Sequence, residues 1–561
     1  MLPQPPVHRN PGRPPRPYVA TSCPGVRPRP RSRTAPPPGG GDNYRESGGS
    51  SAMAGAARSA RLLCMANTYF ATGWRKYGWL AAGIAFGLFG TNSEWAVPVA
   101  GWLFSIGLMR FTRSSGVPAG LACVGLSATA TTVVYVAAAG QLGVPPILLG
   151  CLLLSLILSL PLLADRLLFR RLGPLAGTLV FPAARVTVEF LVAAISPLGT
   201  IFGPLAATQS ANLPLLQTVS VTGIYGISFL MAWAAPVVNL ALEHRLNWPS
   251  IRTVTLAYGS VLVLVLAGGG LRLAVAPAAP ELVRVAGISA SLAAEKRMRE
   301  IDNFHTPRVL PEQKPTLREA YAVLNDDLFA RSRTEADGGA KIVAWAETAA
   351  VVLGEDLPGF LREAQKLAKE KRIYLDMGIA VILDGEPRSR DIAVLVTPAG
   401  QVASVFDKAH PVPGMENLRP GDGVVPVTAT PYGRLANVIC FDADFPGTLR
   451  TRADVMFVPA NDWKGIERTH AANAVFRAVE NGYTLVRPTS NGLAITVDPY
   501  GTSLARTDYF GTDRQSMVVS VPTRGVWTLY GLVGDLFAWL CLAGVAGLGA
   551  TAVLRRTAHR G

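Results

Sequence analysis

The chain has 561 residues, 49% of them hydrophobic, and a mean hydropathy of +0.29; it is too apolar for an ordinary soluble protein and long enough for two or three domains. A formal charge of +15 would suit a nucleic-acid binder, but residues 1–77 carry twelve Arg or Lys against two acids. Most of the other basic residues fall in short loops between apolar runs, which is the distribution of membrane topology and not of a nucleic-acid groove.

Residues 1–76 form a basic tail rich in Pro, Gly and Ser, as in PQPPVHRNPGRPPRPY. Such a composition cannot bury a core, so disorder is expected there. Met53 and Met65 are alternative starts, and RLLCMA around Cys64 lacks the apolar stretch that a lipidation signal needs. Eight apolar segments follow: Trp79–Gly90, Trp95–Met109, Val117–Gly140, Val144–Ala164, Leu175–Ser196, Thr218–Leu242, Thr253–Ala276 and, near the end, Val526–Leu554. Most can cross ~30 Å of hydrocarbon at about 1.5 Å per residue. Basic residues flank alternate ends: Arg75 and Lys76, Arg110 and Arg113, Arg166, Arg170 and Arg171, Arg245 and Arg252, then Arg555, Arg556 and Arg560. The positive-inside rule therefore places both termini in the cytoplasm and the large domain between spans seven and eight outside. Within span five, Arg185 and Glu189 stand at i and i+4, as a self-neutralising pair or a polar spot facing a lipid headgroup.

Residues 281–524 change character. LVRVAGIS, KIVAWAE, IYLDMGIAVIL, DIAVLVTP, QVASVFD, RLANVICF, VMFVPA, YTLVRPTS and LAITVDP read as strands. LPGFLREAQKLAKEK and ERTHAANAVFRAVENG read as amphipathic helices, the second closed by a glycine. The mixture predicts an α/β domain with its sheets covered by helices.

Cys440 is the only cysteine in this region, so no disulfide can form within it. Cys123, Cys151 and Cys541 lie in apolar spans, where they serve as small hydrophobes. A lone cysteine is by itself as readily a core residue. Cys440, however, ends the apolar run RLANVIC just before a turn, while KIVAWAE ends in Glu347 and QVASVFDK in Lys408. A carboxylate, an ammonium and a thiol, each just past a buried strand, make a catalytic set. Glu347 can take the thiol proton. Lys408 can lower the thiol pKa and hold an oxyanion, with the Phe441 backbone N–H as a second donor.

The order Glu, Lys, Cys with these local sequences resembles the nitrilase superfamily. Seven spans before the domain and one after resemble, within it, the apolipoprotein N-acyltransferases, over roughly residues 77–555. The motifs are VAWAET, DKAHPVPGMEN, ICFDADFP, ANDW, FRAVENG and RPTSNG, with ANLPLLQTVSVTGIYGISFL in the membrane part. The resemblance implies a helical membrane domain (77–277), a nitrilase-like α-β-β-α sandwich (281–524) outside the bacterial inner membrane, and a last span (526–554). It implies a double displacement: Cys440 takes an acyl chain from a membrane phospholipid as a thioester and passes it to the α-amine of a diacylglyceryl-cysteine lipoprotein. Glu347 would move protons, Lys408 would stabilise oxyanions, and Glu416 would position the triad, with Phe441 and Asp442 in support. The chain departs from the family's usual pattern at Ala346 (Pro), Asp442 (Glu) and VPGMEN.

Neither cofactor nor metal is expected. Asp442 and Asp444 resemble half of a metal site without a matching cluster. His410 and His470 could suggest a Cys/His pair, but His410 belongs to the Lys408 motif and His470 starts a predicted helix. Arg477 and Glu480, at i and i+3, read as a helix pair bracing the site. No nucleic-acid partner is expected, and a monomer is the default. The competing readings are a membrane-anchored amidase or nitrilase using the same triad on a small amide or nitrile, and a non-catalytic scaffold.

Overall fold

The computed structural model describes residues 74–558 apart from 92–94, 139–144, 202–203, 278, 280, 302–308 and 514; the expected disordered tail lies outside them except for residues 74–76. Among the described residues, six helices are long and apolar enough to cross a membrane: Val117–Ala137, Leu152–Arg171, Pro174–Ile195, Ile224–Glu243, Trp248–Ala274 and Leu536–Arg555. The first two expected spans are shorter helices, over residues 74–90 and Pro98–Ser114. Pro98, Pro161, Pro174 and Pro249 stand in the first turns of their helices, where a missing N–H costs nothing and φ is already suitable.

Two expected spans have different limits. The run from Thr218 breaks at Gly223, whose φ is +64°, so a short turn of helix, Val219–Thr222, precedes Ile224–Glu243. The last span starts at Leu536, because Gly534 and Asp535 follow a separate short helix, Leu529–Val533. Arg185 Nε lies 2.6 Å from Glu189 Oε1, and the same oxygen accepts from the Leu205 N–H. The pair is thus neutralised within the bundle, as buried charges must be.

The rest is an α-β-β-α sandwich. One sheet runs Ser516–Pro522, Leu282–Ile288, Ile342–Trp345, Tyr374–Ile382, Ser389–Val396, Val402–Asp407, with Ala350–Leu353 also paired to Tyr374–Ile382. The other runs Ser503–Asp508, Leu493–Val497, Thr484–Arg487, Val455–Phe457, Gly433–Asn437, Val427–Thr430. Alternation along the strands explains the layers. Val283, Val285, Ile342 and Ala344 pack against Leu435, Val455, Phe457 and Val486 between the sheets. Their neighbours Ala286, Ile288, Val343 and Trp345 face the helices Lys314–Asp337 and Leu357–Lys371.

Helix Glu467–Asn481 covers the outer face of the second sheet, and membrane helices pack over it. Specific bonds fix this docking. Ile224 N donates to Glu480 Oε1 at 2.8 Å, and Thr200 donates its N–H and hydroxyl to the Asp444 carbonyl. Gly199, at φ +54°, leaves room for that carbonyl; a Cβ there would meet it at 2.4 Å.

Burial pushes the Glu480 carboxyl up to about 7, against the pull of Arg477. A carboxyl that binds its proton more tightly when folded stabilises the fold below its ordinary pKa of 4.5, and loses that contribution as pH rises through 7. The detergent-solubilised protein is therefore expected to melt at a higher temperature at pH 5 than at pH 8, by up to about 3 kcal/mol from this group. In Glu480→Gln the dependence should be visibly shallower; an unchanged slope would remove Glu480 from this role.

Candidate active site

Cys440, the candidate nucleophile, sits on a strained turn. After strand Gly433–Asn437, Val438 N–H bonds to Phe457 O and Cys440 N–H to Pro459 O at 2.8 Å. The chain then turns through Cys440 at φ +42°, a left-handed conformation that non-glycine residues adopt at a cost and keep where the surroundings enforce it. A short 3-10 turn, Cys440–Asp444, follows. Asp442 is fully buried and holds this turn to the loop after Lys408. Its carboxylate accepts from Ile439 N, Ala409 N, His410 N and the His410 ring, the last at 2.7 Å.

Glu347 and Lys408 meet at 2.6 Å, and both are buried. Glu347 can stand there because Gly378 lies behind it: a Cβ on Gly378 would come within 2.2 Å of Ala346 O and 2.8 Å of Glu347 Cα. Lys408 Nζ also lies 2.7 Å from Glu416 Oε1 and 3.8 Å from Asp391 Oδ2. Glu416 ties down its own loop, since its other oxygen accepts from Val412 N. Lys408 therefore serves three carboxylates. Asp391 was not singled out in the sequence; the available signal was an acid opening an apolar strand.

The electrostatics set the resting state. Burial lowers an ammonium's pKa, but the charges of Glu347, Cys440, Asp391 and Glu416 hold Lys408 well above its ordinary range. Burial pushes the Cys440 thiol well up, Glu347 and Asp462 add to this, and Lys408 and Arg487 oppose it. Lys408 acts on the thiol in the expected direction, but desolvation and the neighbouring anions outweigh it, so Cys440 rests as a thiol.

A second charged group borders the cysteine. Arg487 grips Asp462 with two bonds, at 3.0 and 2.8 Å, and His470 Nδ1 lies 2.8 Å from the same carboxylate. Asp462 is accordingly held down to about 2 despite its burial. Ligand-type atoms of Cys440, Asp462 and His470 lie within 4.8 Å of one another, so packing brings His470 beside Cys440. Asp442 and Asp444 do not pair as half a metal site: Asp442 serves the Lys408 loop, and Asp444 accepts from Asn473 at 2.7 Å. His410 lies apart, stacked on Phe445 at 3.7 Å. Arg477 and Glu480 form a buried pair at 3.1 Å.

An apolar cavity of about 430 Å³ lies between the membrane helices and the residues next to Cys440, Phe441 and His470, without Cys440, Glu347 or Lys408 in its lining. Tyr135, Leu153, Ile157, Val192 and Ile201 line its membrane side, and Val412, Met415, Phe441, Trp463 and His470 its other side.

Residues 81–237 match the family model of the apolipoprotein N-acyltransferase N-terminal domain, and residues 313–521 that of carbon-nitrogen hydrolases. The apolipoprotein N-acyltransferase of Geobacter metallireducens is 28% identical over 397 residues, covering 64% of this chain and 71% of that protein. The one from Bradyrhizobium diazoefficiens is 26% identical, with 63% and 68% covered. The one from Azotobacter vinelandii is 25% identical, with 78% and 86% covered. A solved amidase from Nesterenkonia sp. AN1 overlaps 43% of this chain and 90% of its own at 19% identity, with a TM-score of 0.33, too low for any conclusion to rest on it.

Proposed function

Because this chain belongs to the apolipoprotein N-acyltransferase family, we propose that it moves an acyl chain from a membrane phospholipid, through a thioester on Cys440, to the N-terminal α-amine of diacylglyceryl-cysteine lipoproteins. The observation that carries this reading is the apolar cavity between the membrane helices and Phe441, beside the buried thiol. A lipid ester can reach Cys440 without leaving an apolar environment, and a small amide has no use for such a chamber.

Glu347 takes the thiol proton as Cys440 attacks the ester carbon. Lys408 and the Phe441 N–H stabilise the oxyanion of each tetrahedral intermediate, while Glu416 and Asp442 hold the loops that carry Lys408 and Cys440. Expulsion of the lysophospholipid leaves the thioester, which the lipoprotein amine attacks in turn.

The catalytic domain faces the extracytoplasmic side of the bacterial inner membrane in this reading. Helix Ile224–Glu243 supports that orientation. Its first residue bonds to Glu480 of the catalytic domain, and its last pairs with Arg110 and Arg113. Its 20 residues separate the two by about 30 Å, so the basic loops lie at the end away from the catalytic domain, as the positive-inside rule requires.

The test is an intact-mass measurement on detergent-purified protein incubated with a phospholipid of defined chains. A gain of one acyl chain, released by hydroxylamine and missing in Cys440→Ala, is expected, followed by transfer to a diacylglyceryl peptide. Absence of the adduct on folded protein, together with turnover of small amides, would select the amidase reading.

A further inference from the structure

Each half of a double displacement needs two proton transfers, at different atoms. In the first, the thiol loses one and the leaving lipid oxygen gains one. In the second, the incoming amine loses one and the departing thiolate gains one. Glu347 is close enough to act on the thiol electrostatically and is pinned to Lys408 at 2.6 Å. The lipid oxygen and the amine both arrive through the apolar cavity. Among the described residues lining it, Tyr135, Ser196, Trp463 and His470 carry donor hydrogens, and His470 is the one residue type among them that ordinarily titrates near neutral pH. Tyr135 stands on the membrane helix Val117–Ala138. His470 has a ring nitrogen within 4.8 Å of the Cys440 sulfur.

The imidazole is also built in. His470 is 5% exposed. Nδ1 is 2.8 Å from Asp462, Nε2 is 3.7 Å from Asp444, and Phe441 and Trp463 flank the ring. Asp462 is fixed in turn by both arms of Arg487. A carboxylate that holds an imidazole by one ring nitrogen and fixes its orientation is the support a general acid needs.

We propose that His470, oriented by Asp462, is a second proton carrier on the cavity side of Cys440, acting on the lipid oxygen and the amine while Glu347 acts on the sulfur. The cycle balances. Glu347 takes the thiol proton, and the new C–S bond forms. As the ester C–O bond breaks, imidazolium His470 gives its proton to the leaving oxygen, and the lysophospholipid departs with a hydroxyl. The neutral amine then attacks the thioester, and the proton of the resulting ammonium goes to His470. The C–S bond breaks, Glu347 returns its proton to the sulfur, and both carriers regain their starting states.

This inference rests on the acyltransferase reading, and one experiment separates the two. Self-acylation of full-length protein in detergent is timed with a phospholipid and with the p-nitrophenyl ester of the same acyl chain, whose leaving group departs without a proton. Wild-type protein that takes an acyl chain from neither donor would overturn the function itself. For His470→Gln, the expected result is acylation about 10²-fold slower from the phospholipid and within about threefold of wild type from the activated ester. The ratio of donors within one variant cancels any difference in folded fraction, and His470→Asn should repeat it. Equal slowing with both donors would reduce His470 to a structural residue, and no slowing with either would dismiss it.

Discussion

A Lys408→Met enzyme is expected to acylate itself at least ~10³-fold more slowly than the parent and to lose about 3–5 kcal/mol of stability at neutral pH. The ammonium lies 2.6 Å from Glu347, 2.7 Å from Glu416 and 3.8 Å from Asp391, with about one hundredth of its side chain exposed. Removing one charge therefore leaves three carboxylates around one point, Glu347 and Asp391 buried and Glu416 partly exposed. They answer by holding protons more tightly, and a protonated Glu347 is no base. The loss of rate thus has two sources, an oxyanion without its cation and a general base already neutral. The sign of the pH effect follows. Carboxyls whose folded pKa is raised favour the fold at low pH and lose that advantage as pH rises through the raised value. Lys408→Met should accordingly recover much of its stability near pH 5 and be weakest near pH 8, by thermal melting in detergent. Equal destabilisation at both values would mean that the carboxylates are protonated even beside Lys408.

The three strand ends were legible because each is an apolar run that stops at a reactive side chain. The helices Leu357–Lys371 and Glu467–Asn481 were legible from their apolar spacing and, for the second, from Gly482, which sits at φ +72° just past its end. Other features had a weaker local signature. Helix Lys314–Asp337 went unread although Leu317, Ala320, Tyr321, Leu324 and Leu328 bury one face; charged residues crowd between them and dilute the pattern. The break at Gly223 is invisible in hydropathy, since both sides are apolar. Nothing in the segment around His470 points to Cys440, thirty positions earlier. The two meet only because helix Glu467–Asn481 lies across the outer face of the sheet that ends in the nucleophile turn. Asp391 is hidden for the same reason: its neighbour in space, Lys408, is on the adjacent antiparallel strand's end. Local chemistry marks the candidate nucleophile and its immediate partners, whereas the groups around them are brought in by packing across layers.

Glu347→Gln is expected to slow formation of the acyl-enzyme by about 10³–10⁴-fold near neutral pH, which is about 4–5.5 kcal/mol at the transition state. The amide keeps the shape and can still accept from Lys408, so the fold should survive, and what is lost is the base. Cys440 needs one because burial, with Glu347 and Asp462 adding to it, holds the thiol well above its ordinary range. The variant removes one of those upward influences while Lys408 and Arg487 continue to favour the thiolate. The sulfur can then ionise into solvent at alkaline pH without help. The deficit should therefore shrink steadily as pH rises from 7 to 10, read as the rate of mass gain from a phospholipid at each pH. A deficit of the same size at every pH would show that Glu347 orients Lys408 or the substrate and takes no proton from the sulfur, and the base would have to be sought at His470 instead.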